Sequence, residues 1–294
     1  MSARHGCPAS WRVPNRRGVS TFARQTSLLG TSAGSIVAAH LAKGIAPRVP
    51  REPVHAALTD VTDRDKLMAG AERAFQELVT ALFPITRRAT AASETVGALS
   101  RAALLAGLPA GTRSMKELRE RYEAVLGSSF DPRLRIVAVD RQTGRRVIFG
   151  GPAGTPDATL AEAISASCAL PGYFAPVQIA GRQYVDGGVW SATNLDVAAV
   201  RRGDRILCLT PMTVLTMSRW PAVRAMGRAC QLAATLEAAS VRRRGGAVTV
   251  ISPDARSAPA IGENLMDTRR LEGALAEGFR QANAAHLHTL ERQP

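Results

Sequence analysis

Ser27-Leu28-Leu29-Gly30-Thr31-Ser32-Ala33-Gly34-Ser35 is the stretch on which the fold turns. A short apolar run stops at Gly30, and Ile36 to Ala42 continues as a helix-like segment closing at Lys43-Gly44. Gly30 to Gly34 has the form G-x-S-x-G in a strand–turn–helix setting. A turn that sharp leaves no room for side chains beside the serine, which predicts the glycines Gly30 and Gly34. The Ser32 hydroxyl then stands at a helix N-terminus, where partial positive charge favours an oxyanion and the Ala33 N–H is a donor. The plainer reading of the same residues is a Gly-Ser turn capping an ordinary helix.

Outward from that turn, helices and strands alternate. Leu67, Ala71, Ala74, Phe75, Leu78 and Leu82 recur at helical spacing over 65–83, and 94–106 reads as helical too. Ser114-x-x-Glu117 predicts a capping box, opening a helix with Leu118, Tyr122, Val125 and Leu126 on one face. Strands follow at Leu134–Val139 and Val147–Phe149, joined by the turn 141–144. Asp157 is placed to cap a helix running to Cys168. Val177–Ile179 and Gln183–Val185 form another strand pair. Ile206–Leu209 and Val248–Ile251 read as buried strands with a long helix between them, and a last helix runs from about Asp267 to Leu290. This order predicts an α/β sheet covered by helices on both faces. It is read as one domain over 26–294 behind an irregular basic extension, 1–25, with 58–127 as a candidate helical cap. The Leu-rich stretch Ala102 to Leu108 is read as core in preference to a lid face.

A serine nucleophile needs a base, and the histidines are His5, His40, His55, His286 and His288. None is well placed. His40 lies two turns along the nucleophile helix, and His286 and His288 fall inside the last predicted helix. The alternative base is a carboxylate. Val185-Asp186-Gly187-Gly188 ends a strand, and its glycines let the backbone bend beside a neighbouring element. The plainer reading is an Asp-Gly turn.

Three blocks taken together carry a resemblance: Gly30-Thr31-Ser32-Ala33-Gly34-Ser35, the stretch Ala166-Ser167-Cys168-Ala169-Leu170-Pro171-Gly172-Tyr173-Phe174-Ala175-Pro176-Val177, and Tyr184-Val185-Asp186-Gly187-Gly188-Val189. In order and separation they closely resemble the patatin-like phospholipase family, over about residues 26–290. The resemblance implies a three-layer α/β/α fold and hydrolysis of phospholipid, lysophospholipid or neutral-lipid acyl esters through an acyl-enzyme. It implies Ser32 as nucleophile and Asp186 as general base, without histidine, metal or cofactor. The block containing Ser167 and Pro171 would pack the chain against the dyad.

One part of the family pattern is not found. The family opens with a strand and a glycine-rich loop whose N–H groups form the oxyanion hole, and the residues before Gly30 hold no such run. Arg16-Arg17-Gly18 is the nearest sequence. The expectation is an exposed sheet edge and a site weakened or inactivated, since each such donor is worth about 10²–10³ in rate. Two rivals follow: a Ser32–Asp254–His286 triad, and a non-catalytic basic lipid-binding protein on the same scaffold.

Composition narrows the partners. Of 294 residues 46% are hydrophobic and 21% charged, which fits a globular chain and excludes wholesale disorder. The four cysteines form no CxxC pair, against a disulfide framework or structural zinc. No apolar run reaches the ~18 residues of a membrane span. The net charge is +14, with all but three of the 38 basic residues arginine. Arginine is spread along the whole chain, and 4% aromatic residues supply no stacking platform, so nucleic acid is not expected. Peripheral contact with an anionic membrane is the partner that charge allows. Cytoplasmic localisation follows as the default expectation.

Overall fold

The computed structural model describes residues 27–47, 94–151, 155–262, 264–265 and 267–284. The extension 1–25, the helix expected over 65–83 and His286 lie outside them. The main sheet holds β1 (Leu28–Thr31), β2 (Leu134–Asp140), β3 (Arg146–Phe149), β4 (Val177–Ile179) and β5 (Arg182–Asp186). Strand β2 is its axis. β1 runs parallel to it over Leu134–Val137, while β3 and β5 pair with it antiparallel over Ile136–Val139 and Ala138–Asp140.

A strand has two edges, and the register of β3 overlaps both of the others. β3 therefore takes one edge alone, and β1 and β5 share the other, end to end. The bonds of alternate residues agree: Asp140 donates to Arg145 on the β3 side, whereas Arg133 accepts from Leu28 and Arg141 donates to Gln183 on the other. The end of β1, at Ser32, thus meets the end of β5, at Asp186, beside Val137 and Ala138.

Period-two alternation sends the strand residues to two faces. Leu134, Ile136, Ala138, Phe149 and Tyr184 pack against three helices: α1 (Ala33–Ala42), α3 (Lys116–Leu126) and α4 (Leu160–Ser167). Val139 and Val185 pack on the other face against Leu105 of α2 (Glu94–Gly107), with Leu104 and Leu108 alongside. Helices thus cover both sheet faces, in three layers. The Leu-rich stretch is core, and the described part of the segment 58–127 supplies a helix to each face.

Two expected caps are corrected. Helix α3 starts at Lys116, so Glu117 is one position too early to reach back, and Ser114 Oγ instead accepts the Lys116 N–H at 3.1 Å. Val125 faces solvent while Leu126 is buried. Helix α4 is capped by Thr159 and not Asp157: the Glu162 N–H donates to Thr159 Oγ1 and the Thr159 N–H to Glu162 Oε2. That is the T-x-x-E box, two residues beyond the aspartate.

Strands β6 (Arg205–Leu209) and β7 (Ala247–Ile251) form a separate parallel pair. They are not the buried strands expected. Cys208 alone is buried in β6, and no residue of β7 is. One face packs on α5 (Pro221–Arg243), through Ile206, Cys208 and Val248 against Ala238 and Val241. On the other face Leu209 is 58% exposed. Among the described residues, β1 has no neighbour besides β2, which leaves an open edge there. The chain continues through α6 (Ser257–Ile261) and ends its described part in α7 (Leu271–Ala284).

Candidate active site

Ser32 caps α1 with φ 51° and ψ −127°, a left-handed backbone at a residue that is not glycine. Such a conformation costs of order 1–3 kcal/mol and persists only where its surroundings fix it. Here Ser167 does so. The Ser32 N–H donates to Ser167 Oγ at 2.9 Å, and that hydroxyl donates to the Val137 carbonyl at 2.6 Å. The register that carries the Leu28 N–H to the Arg133 carbonyl would carry the Ser32 N–H to Val137. The Ser167 hydroxyl is therefore inserted into the ladder, and it turns the chain out of the strand. Ser35, fully buried, closes the turn by donating N–H and Oγ–H to the Ser32 carbonyl.

Asp186 arrives from β5, and its N–H donates to the Ala169 carbonyl. Ser167 and Ala169, two residues apart, so hold the backbone at both Ser32 and Asp186. Pro171 follows as a buried turn residue. Asp186 is 3% exposed, and its Oδ1 receives the Gly188 N–H at 2.7 Å. Burial pushes its pKa up to about 6, against the opposing pull of the Gly188 N–H and the nearby Ser32 side chain. Cys168 lies beside both groups, and burial with the Asp186 charge pushes its thiol up to about 12. It stays protonated at neutral pH and does not compete as a nucleophile.

The family model described as Patatin-like phospholipase matches residues 21–199. The chain belongs to that family. No curated protein matches it. The patatin-like family is one of lipid acyl hydrolases, and the three-layer architecture above is its fold.

Within this patatin-like site the glycines are unequal. A Cβ on Gly30 would lie 2.5 Å from the Ser35 Cα and 2.6 Å from the Gly34 carbonyl oxygen, so that position admits no side chain. A Cβ on Gly34 would meet nothing within 4 Å, which corrects the expectation of crowding there. Gly187 lies flat on β2: a Cβ would overlap the Val137 carbonyl and reach Thr31 Cγ2 at 3.0 Å. Gly188 faces only the Asp186 carboxyl. Ala33 and Gly34 are exposed, and helix geometry leaves their N–H groups without an intrahelical carbonyl.

Of the rival triad, His286 lies outside the described residues, within which His40 is the one histidine. His40 Nδ1 bonds the Ile36 carbonyl at 2.8 Å and its ring packs on Tyr122. Asp254 is taken up by Arg280 and Ser257, which hold its carboxyl well below the usual range. Sequence reasoning missed two groups at this site. One is the linking hydroxyl of Ser167, read there only as packing. The other is Asn194, a buried residue of an irregular stretch that no motif or periodicity flags.

Proposed function

We propose that this chain hydrolyses acyl esters of lipids with a Ser32–Asp186 dyad. The observation that carries the reading is the meeting of Ser32, at the end of β1, with the buried Asp186, at the end of β5, their backbones held by Ser167 and Ala169. Asp186 takes the hydroxyl proton as Ser32 Oγ adds to the ester carbonyl. The tetrahedral oxyanion sits at the N-terminus of α1, against the Ala33 N–H. Its collapse breaks the bond to the leaving alcohol, which receives the proton from Asp186, and an acyl-Ser32 ester remains. Water activated by the same carboxylate then releases the fatty acid and restores Ser32. A pKa raised to about 6 makes Asp186 a stronger base than an exposed carboxylate while still leaving it mostly ionised at neutral pH. An oxyanion donor such as the Ala33 N–H is worth about 10²–10³ in rate.

The test is intact-mass labelling of the full chain with a fluorophosphonate. A single adduct lost in Ser32→Ala and Asp186→Asn supports the dyad. An adduct that survives Asp186→Asn overturns Asp186 as base, and an unlabelled folded wild type overturns the enzyme reading in favour of a lipid-binding protein. Lipid substrates also require contact with an interface. Exposed Met217 and Trp220 beside Arg219 form a corner suited to an anionic surface. Co-sedimentation with anionic liposomes at low salt checks this.

A further inference from the structure

Asn194 is fully buried and left-handed, with φ 49° and ψ 30°. Asparagine tolerates that backbone better than most residues, but a buried amide must satisfy its polar atoms. Its Oδ1 accepts from Arg146 Nη1 at 3.2 Å, and because arginine only donates, this contact fixes the amide orientation. Nδ2 then points at three oxygens: Thr31 Oγ1 at 3.0 Å, the Gly187 carbonyl at 3.3 Å and the Ser191 carbonyl at 2.6 Å. Thr31 immediately precedes Ser32, and Gly187 immediately follows Asp186.

We propose that Asn194 is a positioning residue that ties the turn bearing Ser32 to the turn bearing Asp186 and so sets the alignment of the two reacting groups. The inference rests on the dyad reading above. Three features support it. The amide bridges strand ends that are otherwise joined through Val137, Ser167 and Ala169 on the β2 and α4 side. Gly187, which admits no side chain, brings its carbonyl against the same spot as Thr31. The loop carrying Asn194 is itself anchored on both flanks: Glu237 of α5 accepts from the Thr193 hydroxyl and the Leu195 N–H, and Asp196 holds Arg146 through two bonds of 2.7 and 2.8 Å. Glu237 and Arg146 touch neither Ser32 nor Asp186 through any of these bonds, yet they fix the amide that reaches both turns.

The consequence is directional. Without the amide, the 187–188 turn loosens and the Gly188 N–H withdraws from Asp186 Oδ1. A bond that favours the ionised carboxylate is lost, so the apparent pKa of the base rises above about 6. On the other side, loosening Thr31 swings Ser32 without that shift.

The experiment measures fluorophosphonate labelling rate against pH on the full chain, with thermal unfolding as a check on folding. Asn194→Gly keeps the left-handed backbone, and Asn194→Asp keeps the acceptor for Arg146 but loses the Nδ2 donor. Both are expected to slow labelling by about 10–100-fold, the scale of a 1 Å misplacement, and to move the acid limb to higher pH. Thr31→Val, which keeps shape and removes the hydroxyl, is expected to slow labelling without moving that limb. The double variant should be no slower than Asn194→Gly alone, because both break one link. Folded Asn194 variants that label at the wild-type rate overturn the inference, as do slowed variants with an unmoved acid limb. If the Asn194 variants do not fold, Thr31→Val labelling at the wild-type rate overturns it in their place. A folded wild type that takes no label at Ser32 fails the dyad reading itself, and the inference with it.

Discussion

In β2 every residue but Arg135 is buried, whereas β7 buries none, although both read in sequence as strands and 248–251 as a buried one. The difference lies in what each strand touches. β2 has partners on both edges and helices over both faces. β7 pairs with β6 and leans on α5 through one face. Buried polar atoms are costly unless paired, so the main sheet is where a carboxylate and a set of linking hydroxyls can be held rigidly. The β6–β7 pair offers no such enclosure, and the candidate site draws none of its groups from those two strands. α5, between them in sequence, contributes only Glu237, one step removed.

Gly187→Ala is the hardest blow to that contrast. Its Cβ would overlap the Val137 carbonyl, so β5 must part from β2. Labelling at Ser32 is expected to fall by more than about 10²-fold, with a lower melting temperature. Next comes a pair of truncations compared by urea unfolding. Ile136→Ala in β2 should cost about 2–5 kcal/mol, whereas Val250→Ala in β7 should stay within about 0.5 kcal/mol. Equal losses would mean that the two sheets share one core.

Asp186→Asn sharpens the comparison through pH. In the folded chain this carboxyl has its pKa raised to about 6, above the roughly 3.9 of an unfolded aspartate. A raised pKa means that the group's stabilising contribution is present below the unfolded value and is lost as pH rises through the folded one. The variant should therefore melt several degrees above wild type at pH 8 and lose that advantage near pH 4, while taking no fluorophosphonate label. Thermal scans across that range check it. Ser167→Ala leaves the Ser32 N–H and the Val137 carbonyl without their link, and chemical unfolding should show a loss of about 1–3 kcal/mol. The smallest effect belongs to Gly34→Ala. Open space at that Cβ and better helix propensity predict an unchanged or higher melting temperature, by at most about 1 kcal/mol of stability.

Local patterns were legible and cross-chain links were not. Gly30 and the helical run after it announce a strand–turn–helix, and the structure places β1, Ser32 and α1 there. The runs 134–139, 147–149, 177–179 and 183–185 fall within the observed strands, because alternation and turn residues are properties of neighbouring positions. The cap of α3 differs from the expectation by one position, and a capping box tolerates no such shift. The exposure of β6 and β7 was hidden, since an apolar run does not record which helices cover it. Gly34 misled in the same way: the motif fixes the residue type but not the space around it. Ser167 bonds Ser32 and Val137, and Asn194 bonds Thr31, all partners distant in sequence, so local pattern does not announce these links.

The stitching of Ser32 and Asp186 by Ser167 and Ala169 has a consequence for how such a chain can vary. On the dyad proposed above, the Ser32–Asp186 spacing is set by two anchor points, Ser167 and Ala169, and not by the length of chain between the two residues. Insertions between the blocks, whether a longer hairpin or a whole cover over the substrate, therefore leave the chemistry in tune. This architecture can change what it admits without relearning how to react.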